Sequence, residues 1–126
     1  GLFDLSKIFV GKFTPESGYD VVKKAIDLGK KMPAGLIVAN DAMAIGALKA
    51  LREANLSVPN DVSVISFNDT TAAKFANPAL SSVHVDTHAM GAMGMQVLQQ
   101  ILNSDQMTPY KVVFKTTLIL RESSLN

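Results

Sequence analysis

Apolar and polar positions follow two rhythms along the chain. Leu36-Ile37-Val38-Ala39 is an unbroken apolar run that stops at Asn40-Asp41, and Ala44, Ile45, Leu48 and Leu51 then recur at helical spacing. The run predicts a strand buried on both faces, as in a parallel sheet, and the recurrence predicts a helix to about Ala54. Asn55 is suited to the left-handed position that ends such a helix. Strand therefore passes into helix with almost no loop. In an open α/β sheet that turn lies at the carboxyl end of a strand, where ligands bind. Asn40 itself reads equally as a helix cap and as a ligand contact.

The same alternation runs through the rest of the sequence. Lys7-Ile8-Phe9-Val10 predicts a short strand, which Gly11-Lys12-Phe13 leaves. Thr14 as cap, Pro15 at the first helical position and Glu16 in the first turn open a helix. Val21, Val22, Ala25, Ile26 and Leu28 form its stripe, and Gly29 and Pro33 end it. After a turn at Ser57-Val58-Pro59-Asn60-Asp61, Val62 to Phe67 predicts the next strand, again closed by Asn-Asp at Asn68-Asp69. Thr70 begins a short helix to about Ala76, which Asn77-Pro78 breaks. Ser82 to Val85 is a brief extended piece, and Asp86 or Thr87 caps a helix to about Leu102. A turn at Asn103-Ser104-Asp105 follows, and Lys111 to Leu120, rich in β-branched residues, predicts one or two strands. The βαβαβα order with a strand-rich tail predicts an α/β fold, a parallel sheet flanked by helices with right-handed crossovers.

Composition narrows the function classes. A chain of 126 residues that is 48% apolar and 18% charged builds one core-forming domain and is no disordered tail. The net charge of +1, with Lys and Arg scattered, gives no footprint for nucleic acid. No cysteine is present, which removes disulfides, thiolate metal sites and a cysteine nucleophile and fits a reducing compartment. No apolar run is long enough to span a membrane. The start at Gly1 reads as a cut inside a longer protein.

Catalytic signatures are lacking. His84-x-Asp86-x-His88 would project three metal-competent groups from one face of a continuous strand. The strand pattern fails after Val85, however, and Asp86 is placed to cap a helix, which scatters the three. His84 and His88 are then expected at the surface or beside a site. Gly91-x-x-Gly94 lies in a helical stretch, where close packing explains it better than phosphate binding. Met90, Met93, Met95 and Met107 read as core or interface filler. No nucleophile elbow, phosphate loop or dinucleotide fingerprint occurs. Neither an enzyme nor a cofactor is expected. What remains is Lys12-Phe13-Thr14, Asn40-Asp41 and Asn68-Asp69, three strand ends that could face one cleft. An aromatic plane beside amides and carboxylates matches a sugar, whose C–H face stacks and whose hydroxyls both donate and accept.

Three segments carry a family resemblance: Pro33-Ala34-Gly35 through Gly46, Val58 through Asp69, and Asn77-Pro78-Ala79-Leu80-Ser81-Ser82-Val83. In order and spacing, down to the terminal Leu118-Ile119-Leu120-Arg121-Glu122-Ser123-Ser124, they resemble the lactose-repressor/galactose-repressor (LacI/GalR) family. The resemblance implies a ligand-sensing core of two hinged subdomains, like periplasmic sugar-binding proteins. Residues 1–84 would form the second subdomain, 85–104 a crossover helix belonging to the first, and 105–126 return strands to the second. It implies a small-molecule effector, a sugar or sugar derivative, in a cytoplasmic homodimeric regulator that needs no membrane. Operator DNA would be bound through an N-terminal domain absent here. Phe13 matches an aromatic that stacks on the sugar and Asn40 a position that bonds its hydroxyls. Asn68 falls where many relatives carry a carboxylate, so the charge-assisted part of that contact is missing. Val85 and Thr87 match pocket-rim positions, and Ile45, Lys49 and Phe75 match a dimer seam. The competing reading is part of a periplasmic sugar-binding protein that feeds a transporter. The helix from Thr87 to Leu102 carries Met90, Met93, Val97, Leu98, Ile101 and Leu102. That stripe is expected to pack in a non-family position, to swap onto a second copy, or to be mobile.

Overall fold

The computed structural model describes residues 7–103 and 109–124. Helix α1 spans Pro15–Asp27, strand β1 Gly35–Ile37, helix α2 Asp41–Glu53 and strand β2 Ser63–Asn68. Helix α3 follows at Thr71–Lys74, strand β3 at Ser81–His84, helix α4 at Thr87–Leu102 and strand β4 at Thr117–Ile119. The sheet runs β1-β2-β3-β4; the first three strands are parallel and β4 returns antiparallel to β3. The Ser104-Asp105 part of the expected turn and Met107 lie outside the described residues.

Local chemistry accounts for the helix ends. Thr14 accepts from the Ser17 amide at 3.3 Å with Pro15 at the first helical position. Asn40 accepts from the Met43 amide at 2.8 Å, and Asn55 takes φ 57 just past the end of α2. Helices α1 and α2 cross at two glycines. A Cβ on Gly18 would meet the Met43 carbonyl, and one on Gly46 the Pro15 carbonyl, so only hydrogen permits this approach. The core beneath joins Val22 of α1 and Leu48 and Leu51 of α2 to Val62, Val64 and Leu80.

Four expectations are corrected. Lys7–Val10 forms no strand, and Val10 is exposed. A strand persists only in a ladder, and among the described residues β1 pairs with β2 alone. Consequently β1 is not buried on both faces: Val38 enters the core, whereas Ile37 faces solvent at 75% exposure. Only Thr117–Ile119 of the 111–120 stretch is strand, because β3 offers three partners, Ser82 to His84. Gly91 and Gly94 pack against nothing within 4 Å; they face open space.

Two further corrections share a cause in α4. Asp86 caps this helix by accepting from the Ala89 amide at 2.8 Å, and none of its residues is buried. Among the described residues it finds no rearranged seat on its own chain, and Met90, Met93 and Met95 are not core. The tethering contact from the described residues is the Tyr110 hydroxyl, which donates to Gln100 Oε1 at 2.7 Å. Backbone hydrogen bonds and the cap maintain the helix while its stripe lacks a facing surface.

The tail, by contrast, is woven into the sheet. The Val64 amide donates to the Ser123 carbonyl and Ser123 Oγ to the Val64 carbonyl, each at 2.6 Å. The Ser81 amide donates to Ser123 Oγ at 2.8 Å.

Candidate functional site

Parallel strands leave their carboxyl ends on one edge, and that edge collects most of the residues singled out by sequence. Asn40 follows β1, Asn68 ends β2, and Val85 and Thr87 follow β3. Asn68 lies opposite His84 in the ladder, so Val85 is one step beyond its partner. Thr87, the first residue of α4, is exposed, Val85 is half-buried, and the Thr87 amide donates to the Val85 carbonyl at 2.9 Å.

Phe13 reaches this edge differently from the sequence-based expectation. With no strand before it, it comes from the loop that enters α1, its ring 70% exposed. The Lys12 amide donates to Ser17 Oγ at 2.8 Å, which fixes that loop on the helix. Asn40 Nδ2 then donates to the Phe13 carbonyl at 3.4 Å. Asn40 is thus a cap through its oxygen and a tether through its nitrogen. A weakly engaged N–H group is what it has to offer a ligand oxygen.

Asn68 has no such dual commitment; its side chain is exposed and its backbone is unusual. It takes φ 100 and Asp69 takes φ 54, two successive non-glycine residues in the left-handed half of the map. Asp69 is largely buried, and its carboxylate accepts from Arg121 Nη2 at 2.6 Å and faces His84 Nδ1 at 3.1 Å. Burial works to raise its pKa, but the hydrogen bond and charge of Arg121, then the His84 contact, outweigh it. The carboxyl is held below the usual range.

The sequence reading set both members of each Asn-Asp pair at the cleft but assigned a role only to the first, and Asp41 is instead buried. Asp41 is 1% exposed and accepts from Ser66 Oγ at 2.5 Å, Ser82 Oγ at 2.8 Å and the Thr70 amide at 2.6 Å. The recurrence of Asn-Asp at two strand ends was the available signal. Its serine partners carried none, because serine in a strand gives no periodicity of its own.

The dimer-seam candidates occupy a different face. Phe75, just past α3, is 84% exposed. Ile45 and Lys49 line a groove of about 400 Å³ together with Tyr19, Arg52, Ala76 and Asn77. Lys49 sits over the Tyr19 ring at 5.1 Å, and the Tyr19 hydroxyl donates to Glu53 at 2.6 Å.

Comparison with known proteins places this arrangement. Residues 7–124 match the family model of the periplasmic binding protein-like domain. The HTH-type transcriptional regulator GalR of Lacticaseibacillus casei is 52% identical over 118 residues, 93% of this chain and 36% of that protein. The transcriptional regulator CelR in complex with cellobiose superposes with a TM-score of 0.84 at 32% identity, covering 90% of this chain and 35% of that one. The lac repressor dimer bound to operator and an anti-inducer gives 0.85 at 27% identity, over 92% of this chain and 40% of that one. The chain thus spans roughly a third of the length of the curated relatives it matches. It belongs to the periplasmic binding protein-like domain family, in the form carried by LacI/GalR-type regulators.

Proposed function

We propose that this chain is the effector-binding and dimerisation part of a sugar-responsive bacterial transcriptional regulator acting in the cytoplasm. The observation that carries the reading is the shared edge. Asn40 and Asn68 end neighbouring parallel strands, Val85 and Thr87 follow the next, and an exposed aromatic is tethered to Asn40. An aromatic face with amide donors and acceptors at several strand ends suits a polyhydroxylated ring. Phe13 stacks on the sugar, Asn40 donates through Nδ2, Asn68 offers both donor and acceptor, and Val85 and Thr87 line the rim. With amides in the contact positions, and the adjoining carboxylates of Asp41 and Asp69 already engaged by donors of the protein, the site favours a neutral saccharide held by uncharged hydrogen bonds.

Residues 1–84 and 105–126 make up one subdomain, and α4 (within 85–104) completes the other across the cleft. Ile45, Lys49 and Phe75 form a two-fold seam, and operator DNA is bound by a domain outside these 126 residues. The relatives are regulators, which favours this reading over a transporter component.

A thermal-shift screen of the full-length parent against glucose, galactose, lactose, melibiose and cellobiose, with their phosphates, tests it, since a bound effector raises apparent stability. A shift from at least one saccharide, lost in Asn40→Ala and Asn68→Ala, is expected. A shift that survives both substitutions would remove the site.

A further inference from the structure

We propose that Asp41 is a positioning residue for the effector, acting by holding the Asn68–Asp69 turn in its left-handed backbone. The inference rests on the reading of Asn68 as an effector contact. Two consecutive non-glycine residues at φ 100 and φ 54 revert to ordinary backbone unless their surroundings over-determine them. Arg121 and His84 hold the Asp69 side chain, and the groups that hold the backbone amides of the turn converge on one carboxylate. Asp41 Oδ2 accepts from the amide of Thr70, immediately after the turn, at 2.6 Å. Asp41 Oδ1 accepts from Ser82 Oγ at 2.8 Å, and Ser82 Oγ in turn accepts from the Asp69 amide at 3.0 Å. One side chain thereby grips both amides that follow Asn68, one directly and one through a serine.

The grip is strong because of where the carboxylate lies. Asp41 is 1% exposed, and its partners among the described residues are neutral donors. A buried carboxylate without a cation is held by those donors and by its place in the first turn of α2, where the helix dipole favours negative charge. The adjacent Asn40 caps the same helix. The helix start therefore carries one effector contact, Asn40, and fixes the second, Asn68, through Asp41. The spacing between the two amides becomes a property of Asp41.

Asp41→Asn tests this with almost no change in shape. The amide retains one oxygen for the two serine hydroxyls but turns an NH2 toward the Thr70 amide, setting donor against donor. In the full-length parent, the saccharide giving the largest shift in the panel above is titrated by calorimetry. A fall in affinity of about tenfold or more is expected, with faster amide exchange at Asp69 and Thr70 than at core amides such as Leu51. In an Asn68→Ala background the same substitution should cost no further affinity, because Asp41 acts through Asn68. Val62→Ala, which loosens the core away from the turn, should leave affinity unchanged. If Asp41→Asn does not fold, Ser82→Ala removes only the relay to the Asp69 amide and should give a smaller loss in the same direction. Unchanged affinity in the foldable variant, or losses that simply add to that of Asn68→Ala, would overturn the proposal. No loss from Asn40→Ala and Asn68→Ala themselves would instead overturn the underlying assignment of the site.

Discussion

Arg121 and Asp69 stand 52 residues apart in the chain and 2.6 Å apart in space, Nη2 donating to Oδ1. Nη1 of the same guanidinium donates to the Leu80 carbonyl at 2.7 Å, just ahead of β3. A fork of this kind fixes direction as well as distance, so the tail, the start of β3 and the turn after β2 are held as one unit.

Acid should expose that pairing. Burial works to raise the pKa of the Asp69 carboxyl, but Arg121, together with His84 and Lys74, outweighs it and holds the group below its ordinary value. Its contribution to stability is therefore complete above the unfolded carboxyl pKa of about 3.9 and drains away as pH falls through the folded value. Asp69→Asn removes this term. Below about pH 4 the unfolding free energy of the variant should fall less steeply with pH than that of the parent, as read by denaturant titration at several pH values. Equal slopes would mean that the pair is not the source.

The two kinds of glycine should respond with opposite signs. Gly46→Ala forces a methyl into the Pro15 carbonyl and should cost about 1–3 kcal/mol by urea unfolding. Gly91→Ala meets open space inside α4 and should raise helicity and local stability, by up to about 1 kcal/mol. Circular dichroism with amide exchange along α4 separates the two.

Self-association should depend on Phe75 and not on the core. The ring is exposed, so Phe75→Ser should leave the monomer's unfolding midpoint nearly unchanged. If Phe75 anchors the proposed seam, its loss weakens dimerisation by about 2 kcal/mol, seen by sedimentation equilibrium as a shift of the monomer–dimer midpoint.

Asn68→Ala should weaken saccharide binding by about 1–3 kcal/mol, the cost of leaving a buried hydroxyl of the sugar unpaired. Calorimetry on the parent reads this directly, and Asn68→Asp, which supplies a charged acceptor, tests whether the amide or merely its acceptor matters.

Local signals in the sequence were reliable wherever a side chain satisfies its own neighbours. Thr14 with Pro15, Asn40, Asp86 and Asn55 mark helix ends that the structure reproduces, because a cap is formed within a few residues. Signals that need a distant partner failed. Lys7–Val10 has strand composition but no ladder, and the α4 stripe has helical periodicity but no covering surface among the described residues. The buried role of Asp41 was not legible because its three donors come from β2, β3 and the turn between them, positions that no spacing rule connects. The edge holding Phe13, Asn40 and Asn68 was legible in outline, since each sits at a break in a periodic pattern. The strained backbone of Asn68 was not, as nothing in an Asn-Asp pair distinguishes a left-handed residue from a simple turn.

The weave of the tail has a consequence for how the chain is made. Val64 and Ser123 exchange two hydrogen bonds across 59 residues, so the middle of the sheet is completed by residues that are among the last of these to be synthesised. Strands β2 and β3 can pair earlier, but until Arg121 and Ser123 arrive the Val64 backbone and the Ser81 amide have only water to bond. A nascent chain stalled before Arg121 would hold an unfinished sheet open to other strands. Completion of this sheet therefore waits on the emergence of Arg121 and Ser123, not on the appearance of its core.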